Sequence, residues 1–539
     1  MSGAVGPPLN GLRRMSSAGS RAARIDAAAL DRLVADTVAA TEPGCVVAIA
    51  LGGVPVYRAG RGVADLARPV ALSPATALPV GSVTKQFTAF AYLLLCESGL
   101  AAPNDPIAKY FPAFASSPLG HATVLQLMGH TTGLADAYEL ATIFGDQRMP
   151  LPASALLQDY AALPANGLPG VQWSYNNGGY MLLGAIIEQL ANRRLEEVLE
   201  KAIFTPLGMS NTRLRRWDAH LSDNEATAHI ACGAGKFEPG RRFIEGYGQG
   251  GIVSSADDLL RWLASFNSPS VARLETWHLL TATQALDNGR STFYACGLAI
   301  GEHRGTSVLF HAGGVVGANA QILRAPEFDL DVVVLANRSD LSSVRLCQAV
   351  LDECLPDLET YAVLPQSYDG VFRSSRTGRV IHLFRSHAQS FACIDGVDIP
   401  IATDSDGRLR PAPLGSSVRQ FIEVEASNGA ARALRFSQSG AEDYLERVAP
   451  RSRRSKLLAG RFFAKPNLEL AVASHERSLV ASGQAGRATY DLENIAEGVW
   501  RLKGDGPTPV SGILTANEAR DVVRLSSSAT RSLQMERFA

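Results

Sequence analysis

The part of the chain after Leu355 most constrains the fold, because short strand-like runs alternate there with turn residues. The runs form two series, "DGVFRSSRTGRVIHLFRSHAQSFACIDG" and "AGRFFAKPNLELAVASHERSLVASG", which share a Gly-x-Phe start. These starts, at Gly370 and Gly460, lie 90 residues apart. We predict a duplicated unit of roughly 80 residues that folds twice into a small antiparallel up-and-down β-barrel, over residues 365–450 and 457–539. The basic stretch "APRSRRSKL" between them predicts a solvated linker.

The preceding residues, 25–360, predict a mixed α/β domain. "CVVAIALGGVPVYRAGRGVADL" predicts a hairpin that turns at Gly52–Gly53, and "TSVLFHAGG" and "LDVVVLANRS" predict two further strands. "AARIDAAALDRLVADTVAA" and "SSVRLCQAVLDECL" have helical spacing, and a helix capped by Ser254 or Ser255 follows "GYGQGGIV". A hairpin, a mainly helical insertion, more strands and a last helix predict a sandwich of about 330 residues.

Composition excludes several classes of partner. The formal net charge of −1 argues against nucleic acid or an anionic membrane. The seven cysteines are scattered without metal-ligand spacing, which indicates a reducing compartment and no metal. Residues 1–24 lack the apolar core of a signal peptide and predict a disordered tail, and no apolar run reaches the ~18 residues that cross a membrane. We expect a cytoplasmic protein without a cofactor.

The stretch "VGSVTKQFTAFAYLLLCESGL" places Ser82 three residues before Lys85 at the start of a helix, so both side chains lie on one face. The first turn of a helix also suits an oxyanion. An ordinary lysine costs about 4–5 kcal/mol to deprotonate at pH 7, and burial or another cation can supply much of this. By itself, this pair is equally well explained by a capping serine beside an exposed lysine.

Three more stretches carry residues of the same chemistry. "WSYNNGGYMLLG" contains Tyr175-x-Asn177 before a helix, and a tyrosine can act as a base beside a lysine. "FHAGG" contains His311-x-Gly313 at a strand end, where a strand N–H can serve an oxyanion hole. "LMGHTTGLAD" carries His130 at a glycine turn. Each motif alone is also consistent with a buried aromatic, a buried histidine or a turn.

In this order the motifs resemble those of the serine β-lactamase and penicillin-binding-protein-like family, in its class C and esterase-like branch. "HTTGL", "IFTPLGMSNT" and "GQGGIVSSADDLLRW" also match that family, and the resemblance covers residues 25–355. It implies an α+β catalytic domain with an antiparallel sheet sandwiched by helices.

The family's roles carry over residue by residue. The resemblance implies that Ser82 is the nucleophile, with Lys85 and Tyr175 as the coupled base. Asn177 would contact substrate, and His311 would bind substrate and tune Tyr175. The oxyanion hole would combine the Ser82 N–H with one on the strand near Gly313 and Gly314.

With two barrels added, the chain resembles the three-domain D-stereospecific aminopeptidases of this family. That likeness implies release of N-terminal D-residues from peptides, amides or esters, a cytoplasmic location and a homodimer. In that group a loop of the last barrel enters the active site. The matching stretch here is Ser482–Leu492, with Arg487 where the pattern has an acid and Asp491 nearby.

Two alternatives stay open. The same Ser/Lys/Tyr set serves an esterase or a weak β-lactamase. A non-enzymatic, peptide-binding scaffold is the second alternative; loss of the serine, lysine or tyrosine would mark it, and all three are present.

Overall fold

The computed structural model describes residues 22–537, apart from 159, 220, 357, 360–367, 387–388, 405, 412–419, 428, 451–457, 466, 474, 476, 484, 505–509 and 528–532. Most of the predicted tail and of the predicted linker therefore lies outside the described residues.

Eleven described strands precede the barrel region: β1 Cys45–Leu51, β2 Val54–Arg61, β3 Leu78–Pro79, β4 Arg213–Leu214, β5 His229–Ala231, β6 Phe237–Pro239, β7 Ile252–Ser254, β8 Ala299–His303, β9 Thr306–Val315, β10 Ala318–Ala325 and β11 Leu330–Ala336. Six of them form one antiparallel sheet in the order β2-β1-β11-β10-β9-β8. The predicted hairpin is confirmed as β1 and β2, with Gly52 and Gly53 at its turn.

Ten described α-helices accompany these strands: α1 Ala27–Thr37, α2 Thr84–Glu97, α3 Val124–Met128, α4 Ala137–Phe144, α5 Ala153–Gln158, α6 Asn177–Ala191, α7 Leu195–Leu199, α8 Ala256–Ala264, α9 Leu274–Thr281 and α10 Ser343–Cys354. Strand β1 shows how they sandwich the sheet, because its side chains alternate between two apolar clusters. Val46 and Ala48 pack with α2, α6 and α8, whereas Val47 and Ile49 pack with α1 and α10. Ser255 is the cap of α8.

The remaining strands close into two eight-stranded antiparallel barrels, as predicted. The first contains β12 Gly370–Arg373, β13 Val380–Ser386, β14 Gln389–Ile394, β15 Val397–Thr403, β16 Leu409–Pro411, β17 Gln420–Ser427, β18 Ala430–Gln438 and β19 Ala441–Arg447. The second contains β20 Gly460–Ala464, β21 Leu468–Val472, β22 Ser478–Gly483, β23 Gly486–Ala496, β24 Val499–Lys503, β25 Ser511–Ala516, β26 Val522–Ser526 and β27 Leu533–Arg537.

The duplication extends to the residues that close each barrel. Phe372 pairs with Arg447 across the seam of the first barrel, and Phe462 pairs with Arg537 in the second. In both pairs the guanidinium lies over the phenyl ring, at 5.3 Å and 5.1 Å from the ring centroid. Both pairs are offset by the 90 residues that separate Gly370 from Gly460.

The second barrel packs on helix α4 of the first domain. Leu140, Ile143 and Phe144 belong to the same apolar cluster as the barrel interior. The Tyr490 hydroxyl donates a hydrogen bond of 2.8 Å to the Ile143 carbonyl. The barrel is thus joined to the helix that lies beside the candidate site. Among the described helices, none is long and apolar enough to span a bilayer.

Candidate active site

Ser82 lies in a single 3-10 turn, Gly81–Val83, that runs directly into α2. Lys85 is in the first turn of α2 and is fully buried. The spacing of three residues brings its Nζ to 3.0 Å from Ser82 Oγ. The structure therefore brings the predicted serine and lysine together and contradicts the reading of an exposed lysine.

The hydrogen bonds that Lys85 makes to other groups determine how its amine can interact with the Ser82 hydroxyl. Nζ donates to Asn177 Oδ1 and to the Gln249 carbonyl, both at 2.8 Å. These two oxygens can only accept hydrogen bonds. A neutral amine has two N–H bonds and one lone pair, so these acceptors use both hydrogens. The lone pair then faces the Ser82 hydroxyl, which is the geometry a general base requires.

Burial also favours the neutral amine. It lowers the pKa of Lys85 from 10.5 to about 7, while the charge of Asp136 raises it by a smaller amount. The desolvation of an ammonium is the larger effect because Lys85 has no exposed surface. The neutral amine beside Ser82 is therefore far more accessible near pH 7 than it is for an ordinary lysine.

Asp136 positions Asn177 by capping two helices at once. Its Oδ1 accepts hydrogen bonds from the N–H groups of Tyr138 in α4 and Gly178 in α6. Its Oδ2 accepts a hydrogen bond from the Asn177 N–H and lies 3.4 Å from Asn177 Nδ2. Because Asn177 Nδ2 points toward this carboxylate, the amide oxygen Oδ1 points toward Lys85 and accepts its hydrogen bond. Burial, and then the charge of Glu139, raise the pKa of Asp136 to about 6, although the hydrogen bonds that the carboxylate accepts lower it in part.

Tyr175 borders the same pair. Lys85 Nζ lies 4.8 Å from the centroid of its ring. Burial raises the pKa of Tyr175 well above its ordinary value, although a hydrogen bond with the Ser82 side chain lowers it in part. The resting tyrosine is therefore a neutral phenol, and Lys85 is the group with the pKa of a base at neutral pH.

His311 belongs to a buried chain of hydrogen bonds whose directions can be assigned. The Asn176 N–H donates to His130 Nδ1, so the His130 proton is on Nε2, which lies 3.3 Å from the Tyr294 hydroxyl. Tyr294 then donates to His311 Nε2 at 2.9 Å, and His311 Nδ1–H donates to the Ala312 carbonyl. In this arrangement each of the three side chains accepts one hydrogen bond and donates one.

This chain of hydrogen bonds lies around a buried, neutral His311. Burial, and then the charge of Lys85, lower the pKa of His311 to about 3. Its ring centroid lies 6.3 Å from that of Tyr175, and both ring nitrogens are engaged. The structure therefore brings His311 to the site, where it is fully buried and both ring nitrogens already have partners, and its contact with substrate stays a prediction.

The edge of β9 approaches Ser82 closely because Gly313 in β9 and Gly81 next to Ser82 have no side chains. A Cβ on Gly313 would collide with the Val80 carbonyl and lie 3.1 Å from the Ser82 nitrogen. A Cβ on Gly81, whose φ is +51°, would lie 2.5 Å from the Gly314 nitrogen. A Cβ on Gly314 would meet nothing within 4 Å. The close approach allows β9 to supply a second N–H beside that of Ser82.

A family model described as Beta-lactamase matches residues 30–351. This range covers more than half of the chain and includes every residue of the site described so far. The chain belongs to the beta-lactamase family.

Two curated relatives resemble this family member. The D-aminopeptidase of Brucella anthropi is 30% identical over 299 residues, or 55% of this chain and 56% of the relative. The D-aminopeptidase of Brucella ovis is 29% identical over 301 residues, with the same coverage. The match thus spans little more than half the length of these relatives.

Solved structures of lower identity share the fold. A structure of an octameric penicillin-binding protein homologue from Pyrococcus abyssi has a TM-score of 0.54 at 21% identity, covering 86% of this chain and 100% of that one. A D-amino acid amidase from Ochrobactrum anthropi has a TM-score of 0.51 at 20% identity, covering 60% and 97%.

Two expected substrate contacts of this beta-lactamase-family chain are not brought to the serine. Arg487 and Asp491 are exposed on β23, because the alternation of that strand turns them outward while Tyr490 packs toward α4. The hairpin before them touches the end of α4, where the Asp146 N–H donates to the Ala485 carbonyl at 2.8 Å. Within the described part of the chain, no recorded contact links either side chain to Ser82.

Sequence reasoning missed three groups of this beta-lactamase-family site. Asp136 directly precedes a helix, and that position could have identified it as a cap. Tyr294 lies in "STFYACG", which has no distinctive pattern, and the Gln249 contact is made by the backbone. Among the described residues, no group of His, Cys, Asp and Glu could hold a metal ion.

Replacing Gly313 by Ala should lower kcat/KM by at least about 100-fold, because the added methyl group separates β9 from Ser82 and removes an oxyanion donor. Val54→Ala is the control and should stay within about threefold of wild type, since Val54 is an exposed residue of β2, at the opposite edge of the sheet from β9. Steady-state kinetics on a hydrolysed ester or amide measure both. Wild-type activity in Gly313→Ala would contradict this role.

The pH profile should report the Lys85 amine. Because protonated Lys85 cannot accept the Ser82 proton, kcat/KM should rise about tenfold per pH unit below pH 7 and level off above it. In Asp136→Asn the rising limb should move to lower pH, because the carboxylate charge that raises the pKa of Lys85 is gone. Profiles from pH 5 to 9 test this, and a limb that stays in place or moves upward would exclude the assignment.

Tyr294→Phe should destabilise the protein by about 1–3 kcal/mol, because it leaves buried nitrogens of His130 and His311 without partners. Tyr444→Phe removes an exposed hydroxyl bonded to Glu425 and should change stability by less than about 0.5 kcal/mol. Urea unfolding, followed by fluorescence, compares the two. Equal effects would show that the buried chain contributes little.

Proposed function

We propose that this protein is a serine hydrolase that forms an acyl-enzyme on Ser82 and releases N-terminal D-residues from small peptides and amides. The observation that carries the hydrolase assignment is the buried Lys85 amine, 3.0 Å from Ser82 Oγ and with a pKa of about 7. A scaffold that only binds peptides has no need for a free amine at this position.

The proposed reaction begins when Ser82 Oγ attacks the substrate carbonyl carbon and its proton passes to Lys85 Nζ. The Ser82 N–H and an N–H of β9 near Gly313 stabilise the oxyanion. Tyr175, hydrogen-bonded to Ser82, passes its proton to the leaving amine nitrogen and takes up the proton that Lys85 received, so that Lys85 is again a neutral amine. Water then attacks the ester carbonyl carbon and gives a proton to Lys85. Lys85 returns this proton to Ser82 Oγ as the ester bond breaks, and the acid product leaves.

Two observations support an aminopeptidase within this class. The relatives named D-aminopeptidase align with 55% of this chain, and their match includes about 300 residues. His311 is uncharged because its pKa is about 3, so the His-x-Gly position offers no cation to a substrate carboxylate. This favours a neutral acyl group with a free amine at its other end.

An esterase is the second candidate, because the Ser/Lys/Tyr set acts on esters as readily as on amides. A β-lactamase is less favoured, since a penicillin or cephalosporin carries a carboxylate that the neutral His311 cannot pair.

We also propose the domain limits 25–360, 365–450 and 457–539, which enclose the described elements. The homodimer and the cytoplasmic location stay predictions from the resemblance.

A substrate panel tests the assignment. D- and L-alanine p-nitroanilides, p-nitrophenyl acetate and a chromogenic cephalosporin should rank with the D-anilide well above its L-enantiomer and above the cephalosporin. Ser82→Ala should abolish all hydrolysis and labelling by a fluorophosphonate. Hydrolysis of the ester alone would assign an esterase, and unlabelled wild-type protein would contradict the nucleophile.

A further inference from the structure

The outer faces of the two barrels meet through an apolar contact that ends in polar residues. Val371 of β12 and Ile513 of β25 belong to one buried cluster between the barrels. Side chains two residues apart on a strand share a face. Arg373 therefore follows Val371 on the facing side of the first barrel, and Thr515 follows Ile513 on that of the second.

Three cross-strand neighbours continue the polar face of the second barrel. Thr515 is directly opposite Arg524 of β26, and Arg524 is directly opposite Gln534 of β27. Arg373, Thr515, Arg524 and Gln534 together line a cavity of about 330 Å³. Both barrels thus contribute a guanidinium to one cleft.

Neither guanidinium has an anionic partner among the residues that the structure describes. No ion pair or side-chain hydrogen bond is formed there by Arg373 or Arg524. Burial, and then the charge of Arg524, lower the pKa of Arg373, so the two cations repel each other. Such a pair is unfavourable unless an anion lies between its members.

The neighbouring arginines differ, because each has its own carboxylate. Arg379 pairs with Asp395 at 3.1 Å, and Arg376 pairs with Asp443 at 3.2 Å. Arg290 pairs with Glu442. These three carboxylates are therefore already in ion pairs, whereas Glu446, which lies directly opposite Arg373 on β19, is exposed and forms no ion pair with it among the described residues.

A buried hydroxyl points to the same ligand. Thr515 is 2% exposed, and its Oγ1 has no hydrogen-bond partner among the described residues. A buried hydroxyl without a partner costs free energy. Because Oγ1 itself has almost no exposed surface, rotation of the Thr515 side chain would be needed for it to donate to a ligand oxygen in the cavity.

We propose that a small oxyanion, with a phosphoryl or carboxylate group, binds between the two barrels on Arg373, Arg524 and Thr515. Planar guanidinium groups bind such oxygens in pairs, which gives the site its selectivity over chloride. The anion links the barrels to each other, and its binding is independent of the serine chemistry.

The site also adjoins a larger cavity of about 820 Å³, which Arg524 and Gln534 line as well. Asn166, Val171 and Gln172 form another wall of that cavity. These residues belong to the segment that leads to Tyr175. An organic anion larger than phosphate therefore has room to extend toward the catalytic domain.

Isothermal titration of the full-length protein with inorganic phosphate, at constant ionic strength in chloride, tests the proposal. Wild type should bind one phosphate per chain, and Arg524→Gln and Arg373→Gln should each weaken binding at least about tenfold. Arg435→Gln is the matched control, because Arg435 is an exposed barrel arginine that pairs with Glu425. Its affinity should be that of wild type.

Thermal melting gives a second readout whose sign distinguishes this site from a structural role. In chloride alone, Arg524→Gln should melt at or above the wild-type temperature, because it relieves the repulsion with Arg373. Phosphate should raise the melting temperature of wild type and of Arg435→Gln, but not that of Arg524→Gln. Absence of phosphate and carboxylate binding by wild type, or equal binding by all variants, would overturn the proposal.

Parallel titrations with succinate and citrate distinguish the two sources of oxyanion. Tighter binding of phosphate assigns a phosphoryl ligand, and tighter binding of a carboxylate assigns an organic acid. Either result supports the site only if Arg524→Gln removes it. Ser82→Ala should bind the same anion with unchanged affinity, so failure here is separable from failure of the proposed hydrolase.

Discussion

The burial of one amine is the constraint on which the site depends. Lys85 has no exposed surface, and its charged form loses hydration that three hydrogen bonds replace only in part. Burial thereby lowers the pKa of this amine toward neutrality, as the proposed role of Lys85 as the base requires. Residues of α2, α6 and the turn at Gln249 must converge on Lys85 Nζ. The packing of much of the first domain is therefore required to form the site.

Asp136 connects this constraint to the helical framework. Its carboxylate caps the N-termini of two helices and sets the orientation of the Asn177 amide. Its charge raises the pKa of Lys85, which burial lowers. One side chain therefore controls both the position and the basicity of the amine. Asn177 is thus held at a capped helix N-terminus, whereas Tyr175 and Gln249 come from irregular segments between elements.

Local patterns predicted most of the fold and the central pair. Strand alternation, turn glycines and the 90-residue repeat depend on near neighbours, as does the spacing of Ser82 and Lys85. Contacts made by tertiary packing could not be predicted in this way. Tyr294 reaches His311 only because two segments pack together, and the outward direction of Arg487 depends on how the last barrel sits on α4.

The contact between α4 and the last barrel makes the catalytic domain incomplete by itself. Leu140, Ile143 and Phe144 are at most 3% exposed, and the barrel interior provides much of their cover. Removing the last barrel would present these apolar side chains, which lie on the helix that Asp136 caps, to solvent. A chain shortened in this way would then tend to aggregate, unless polar replacements on that helix accompanied the loss of the barrel.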